Sequence, residues 1–154
     1  MELTKFDRAC FERAVQLANE AEKTGNLPVG AVIALDGKVI SEGNSAIWQP
    51  ELRLHRHAEM EALMSLPKGL SERAREMTLY TTLEPCLMCC GAILLYGIGR
   101  LLFGSTDGFG GASISFGHLP EFFARQLQGM EWVGPAYTEA CDPLYARLTE
   151  LEQK

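Results

Sequence analysis

The sequence predicts an α/β protein, a three-layer α/β/α sandwich built on a mixed five-stranded sheet. Three observations carry that expectation. Helical and strand patterns interleave in the order αββ, α, β, α, β, α, β, α. An Asp36-Gly37 pair separates the first two strand-like runs, which is the signal of a tight hairpin. The last two strand-like runs stand about two dozen residues apart with a helical pattern between them. A crossover of that length joins parallel neighbours, so strands four and five are expected to be parallel.

At 154 residues the chain is read as one domain, residues 1–154, with no internal repeat. A hydrophobic share of 47% and a charged share of 22% suit a globular protein with a buried core. Residues 5–23 form an amphipathic helix in which Phe6, Cys10, Ala14, Leu17 and Ala21 recur at helical spacing, with Thr4 and Asp7 as its capping pair. Val29 to Leu35 and Lys38 to Ser41 are the hairpin strands. Gly30 inside the first marks either a bulge or a close approach to the backbone. Asn44 to Arg56 reads as a loop, and a helix begins at His57 with Met60, Leu63, Met64 and Leu66 as its apolar stripe.

Ser71 to Glu76 is a short charged connection, and Thr78 to Leu83 is a third strand. Pro85 is expected to open the next helix, and its apolar body, Cys86 to Tyr96, predicts burial. Arg100 to Gly104 is the fourth strand, and Ser105 to Gly117 a loop rich in Gly and Ser. Leu119 to Gln128 is a helix, Met130 to Val133 the fifth strand, and Pro143 to about Gln153 the final helix.

Composition narrows the chemistry. No apolar run approaches the roughly 20 residues that span a bilayer, so no membrane partner is expected. The opening Met1 to Asp7 is polar and acidic and reads as neither signal nor transit peptide, which predicts a cytoplasmic protein. The net charge of -6, with 14 scattered Lys and Arg, argues against a polyanionic substrate. Five cysteines without a secretion signal favour metal binding or buried thiols over disulfides.

Cys86 and Cys89 lie three residues apart at a helix start, where both sulfurs can face one point and the helix N-terminus favours thiolates. His57 opens the preceding helix. One imidazole and two thiolates make three ligands, the number that catalytic zinc keeps while leaving a position for water. Glu59, two residues from His57, is placed to take a proton from such a water rather than to ligate. Cys90 cannot easily close the site from its place on the helix, so a structural zinc is disfavoured. Cys10 and Cys141 read as core or surface thiols, His55 as a rim residue and His118 as unremarkable. Phe109, Phe116, Phe122 and Phe123 can stack on a flat ring, although core packing is the commoner fate of aromatics.

Pro28 to Val32, His57-Ala58-Glu59, Leu83 to Ile93 and Ile98 to Gly104 together resemble the cytidine deaminase-like superfamily, and most closely its branch of bacterial tRNA adenosine deaminases and guanine deaminases. The resemblance implies one zinc ion per chain on His57, Cys86 and Cys89, with Glu59 as proton shuttle. It implies substrate contacts at Asn44 and Ala58, and a homodimer formed through sheet-covering helices. Two departures stand out. The family's Gly-any-Asn is one residue short here, Gly43-Asn44-Ser45, and Leu54-His55-Arg56 stands where many relatives have Asp-Pro-Thr. The expected activity is hydrolytic removal of an exocyclic amine from a nucleobase or small nucleoside, a purine such as guanine being favoured. Adenosine-to-inosine deamination in tRNA is the alternative. A non-catalytic zinc-binding subunit is the reading from another class, and retention of Glu59 speaks against it.

Overall fold

The computed structural model describes residues 1–153. Its sheet has the strand order β2-β1-β3-β4-β5, with β1 at Gly30–Leu35, β2 at Lys38–Asn44, β3 at Thr78–Leu83, β4 at Arg100–Ser105 and β5 at Glu131–Val133. β1 runs antiparallel to β2 and β3, whereas β3–β4 and β4–β5 are parallel. The mixed sheet and its parallel final pair are as the spacing predicts.

Asp36 and Gly37 both take positive φ, 54° and 72°, the conformation that an Asp-Gly hairpin turn requires. Helix α1 (Lys5–Lys23) carries the expected capping box, with Thr4 and Asp7 bonded to each other's backbone.

Period-two alternation sends each strand's side chains to two cores. Ala31, Ile33 and Leu35 of β1 pack with Leu79, Leu101 and Phe103 beneath α2 (Ala58–Met64) and α3 (Leu87–Tyr96). Val32 and Ala34, with Tyr80 and Leu102, face α1 and α5 (Thr138–Glu152) on the other side. Helix α4 (Glu121–Gln128) packs beside α3 and β5. The result is the three-layer sandwich that was expected.

Two glycines set how closely the layers approach. A Cβ on Gly30 would collide with the Ala14 carbonyl oxygen of α1, and one on Gly43 with the Ala58 carbonyl oxygen and the Ala62 amide nitrogen of α2. Gly30 therefore marks a close approach rather than a bulge; the register shift in β1 lies between Ile33 and Ala34.

Five expectations need correction. Pro85 precedes the helix: Cys86 is the N-cap of α3, and the chain is still extended at that residue. Helix α3 is only half buried. Cys89, Cys90, Ile93 and Leu94 face the core, but Leu87, Met88, Leu95 and Tyr96 are exposed. The helix is apolar all round, so its composition could not separate the two faces. In α2 the inward residues are Ala58, Glu59, Ala62 and Leu63, with Met64 exposed. Helix α5 begins at Thr138 and carries Pro143 in its interior, past the first turn, so proline's missing N–H leaves one backbone hydrogen bond of the helix unmade there and does not mark the start. The first part of the predicted loop after β4 stays irregular, while Ala112–His118 forms a 3₁₀ helix.

Candidate active site

His57 and Cys86 are the N-cap residues of α2 and α3, and those helices pack side by side. Cys89 lies in the first turn of α3. His57 Nδ1 stands 3.5 Å from Cys86 Sγ and 3.6 Å from Cys89 Sγ. The three donor atoms all lie within 4.8 Å of one another. A tetrahedral zinc with Zn–S near 2.3 Å and Zn–N near 2.0–2.1 Å has N···S edges of about 3.6 Å. The donor set and its spacing fit zinc.

The electrostatics of the bare protein point the same way. The two thiols share a proton: the hydrogen bond from Cys89 holds the Cys86 thiol down to about 4, with His57 adding to the effect against the cost of burial. That same bond and burial push Cys89 far up. The contact with Cys86 in turn raises His57, more than burial lowers it. A dication at the centre relieves this arrangement by letting both sulfurs ionise. No fourth Cys, His, Asp or Glu joins the group among the described residues. Cys90 packs into a separate cluster with Leu94 and Ala112, so the fourth position stays open, as in catalytic rather than structural zinc.

Glu59 sits in the first turn of α2, buried, with its Oε1 accepting a hydrogen bond of 2.8 Å from the Thr81 hydroxyl. Alternation along β3 supplies that partner: Tyr80 points to α1, so Thr81 points to α2. Burial raises the Glu59 carboxyl above the ordinary range, and the contacts with Cys89 and Thr81 oppose the shift.

Glu59, His57 and Cys86 open into one cavity of about 560 Å³. Its walls include Leu27, Val29, Ile47, Ala58 and Leu83, and α5 closes one side with Tyr145, Leu148, Thr149 and Glu152. Ala58, expected to contact substrate, does line it. Asn44 does not. Its side-chain amide is spent on the Leu17 carbonyl of α1, 3.0 Å away, and Ser45 faces the cavity instead. Cys10, Cys90 and Cys141 are core thiols, raised by burial to about 11, 11 and 12.

The mouth is organised by carboxylates whose role the sequence left unread. Asp107 Oδ1 accepts the Phe109 and Gly110 amides at 3.0 and 2.9 Å and the Tyr145 hydroxyl at 2.8 Å. Glu84 accepts the amides of Asp107 and Ser113. A Cβ on Gly111 would strike the Glu84 carboxylate, so only glycine lets that loop close over it. The turn holds Phe109 at the rim, 96% exposed. It is not a core aromatic, unlike Phe116, which packs edge-on against Trp132.

Residues 4–105 match the family described as the cytidine and deoxycytidylate deaminase zinc-binding region. The chain belongs to that family. It is 37% identical to the tRNA-specific adenosine deaminase of Bacillus subtilis, over 70% of this chain and 66% of that protein. It is 44% identical to its namesake in Haemophilus influenzae, over 68% and 61%, and 34% identical to a cytosine deaminase of Candida albicans, over 70% and 71%. The chain spans a little under two thirds of the length of either tRNA-specific enzyme. A structure from studies of A-to-I editing by tRNA:A34 deaminases aligns with a TM-score of 0.67 at 34% identity, covering 74% of this chain and 90% of that one. The guanine deaminase of Nitrosomonas europaea shares the fold, with a TM-score of 0.70 at 17% identity over 97% and 87% of the two chains. The family match ends at Ser105, whereas Asp107, Phe109, Tyr145, Leu148, Thr149 and Glu152 of the cavity lie beyond it.

Proposed function

We propose that this protein hydrolytically removes an exocyclic amino group from a free nucleobase or small nucleoside, a purine such as guanine being preferred. Water and the aminated ring give the oxo ring and ammonia. The observation that carries the reading is the shared cavity, in which a buried carboxylate and a three-donor, zinc-fitting group face one space. When bound, zinc on His57, Cys86 and Cys89 supplies Lewis-acid activation of water at neutral pH.

The protein's own residues do the rest. Glu59 takes one proton from the attacking water and passes it to a ring nitrogen beside the carbon under attack, then takes the second from the hydroxyl now on that carbon and delivers it to the amine, which leaves as ammonia while the carbonyl forms. Thr81 fixes one carboxylate oxygen throughout. Burial favours the protonated form of Glu59, which suits a group that must hold and return a proton. The apolar walls keep bulk water from the ring.

The choice of a small substrate rests on charge. Glu59, Glu84, Asp107 and Glu152 line the cavity, and no Lys or Arg does among the described residues. A phosphate chain gains nothing from such a rim. Adenosine in tRNA is the second reading, supported by the identity to the two tRNA-specific enzymes. A homodimer follows from the family resemblance, and the exposed apolar side of α3, where Leu95 is 65% exposed, is the surface we assign to it. Sedimentation of the purified protein as a monomer at micromolar concentration would remove that assignment.

Ammonia release from guanine, adenine, cytosine, their nucleosides and an anticodon stem-loop containing adenosine tests the substrate. Turnover of a small ring and not of the stem-loop is expected. Turnover of the stem-loop alone would replace the first reading by the second.

A further inference from the structure

One carboxylate holds both ends of the turn that walls the cavity mouth. Glu84 is buried, 6% exposed, and lines the cavity. Its Oε1 accepts the Asp107 amide at 3.2 Å, where the turn begins, and its Oε2 accepts the Ser113 amide at 3.1 Å, where the turn ends. Between those ends Gly111 packs so closely that a Cβ there would stand 2.3 Å from the carboxylate. The backbone adds the Ala112 amide, which donates to the Pro85 carbonyl at 2.9 Å, and an antiparallel bridge between Gly111 and Cys86. The turn so held supplies Asp107, Phe109 and Gly110 to the cavity wall, and the Tyr145 hydroxyl ties it to α5 through Asp107. That wall lies beyond the family match, which ends at Ser105, while the Glu84 that holds it lies within the match.

We propose that Glu84 is a positioning residue whose carboxylate keeps the turn 107–113 in the shape that receives the ring, so that substrate meets a wall already formed. This rests on the reading that the cavity takes an aminated heterocycle. Glu84 acts through the turn, whereas Glu59 acts on the reacting atoms. Two amides that both donate need two oxygens that both accept, which a carboxylate provides. Glutamine has the same size but one oxygen, and its NH₂ would face the second amide, donor against donor. The turn is then held for only part of the time, and the apparent affinity for the ring falls by the fraction lost. Chemistry in the closed state is unaffected, because Glu59, Thr81 and the three metal donors are carried by α2, β3 and α3. A raised KM at unchanged kcat is the signature of that loss.

The test measures steady-state ammonia release by zinc-loaded full-length protein, from the heterocycle that the wild type turns over fastest. Glu84→Gln should raise KM by roughly ten- to a hundredfold, the worth of a buried donor left unpaired, with kcat within about threefold and zinc content equal. Gly111→Ala, whose methyl enters the carboxylate's place, should show the same split. Gly108→Ala, in the same turn but with nothing within 4 Å of its added carbon, should match the wild type. This pair of glycine variants carries the test if Glu84→Gln does not fold. Amide hydrogen exchange is read alongside: the segment 107–113 of the unliganded wild type should exchange at least about tenfold more slowly than in Glu84→Gln or Gly111→Ala. An unchanged KM at equal zinc overturns the assignment. So does a fall in kcat at unchanged KM, which is what a merely structural role gives by reducing the active fraction. Exchange of 107–113 that is equally fast with and without the Glu84 carboxylate overturns it too. Absence of ammonia from every heterocycle with the wild type would remove the deaminase reading instead, and the exchange contrast would still decide, without turnover, whether Glu84 holds the wall.

Discussion

Glu59→Gln separates chemistry from architecture at this site. Glutamine fills the same volume and its carbonyl can accept the 2.8 Å hydrogen bond from Thr81. The change also removes a carboxylate whose ionisation burial opposes. The fold should therefore stay within about 1 kcal/mol of wild type, and His57, Cys86 and Cys89 should retain zinc. Turnover is another matter, because an amide cannot relay a proton. Loss of a positioned general acid–base costs about 10²- to 10⁴-fold, or about 3–5 kcal/mol of barrier. Glu59 is asked to move a proton more than once per turnover, so the upper part of that range is expected. The assay is coupled ammonia release from guanine, with zinc content and a melting curve from the same preparation. Activity within about tenfold of wild type, at equal zinc and equal stability, would refute the proton-relay role.

Other outcomes follow from named contacts. Thr81→Val should leave Glu59 buried without its hydroxyl partner and lower stability by about 1–3 kcal/mol in a denaturant titration. Cys86→Ser and Cys89→Ser should each lose zinc, measured as metal content falling from about one ion per chain, while His55→Ala should not. Gly43→Ala would drive a methyl into the first turns of α2, so it should lower both melting temperature and zinc retention. Asp7 is buried and tied to Tyr80, Arg100 and the Thr4 amide. Burial alone would raise its carboxyl, but Arg100, Tyr80 and Thr4 outweigh it and hold it at about 2. Its folded value lies below its unfolded one, so it stabilises the protein above about pH 4. That contribution, about 2 kcal/mol, should fade as pH falls toward 2, and a pH titration of Asp7→Asn stability should lack that limb.

Much of this was legible in the residues. Asp36-Gly37 announced a turn because two positive φ angles are needed there, and the long crossover before β5 announced parallel strands. His57, Cys86 and Cys89 were readable because ligand chemistry restricts both residue type and spacing. What escaped depended on register and on neighbours. Gly43 faces α2, so alternation turns Asn44 to α1 and Ser45 to the cavity, and a one-residue slip in reading exchanges their roles. Thr81 as the partner of Glu59 required knowing which face of β3 meets α2. Helix α3 is apolar on both sides, and apolarity alone cannot say whether the covering surface belongs to the same chain. Pro143 marked a helix start that lies five residues earlier, at Thr138. The cavity's wall of α5 residues comes from a segment more than a hundred residues from Leu27, a contact that no local pattern encodes.

The most direct test of the central claim is the origin of the product's oxygen. Zinc-loaded wild-type protein is incubated with guanine in heavy-oxygen water, and the product is weighed by mass spectrometry beside the ammonia released. Hydrolytic deamination at the His57, Cys86, Cys89 and Glu59 site predicts one heavy oxygen in each product ring for each ammonia, with both lost in Glu59→Gln. Product without heavy oxygen, or equal yields from the Glu59→Gln protein, would contradict it.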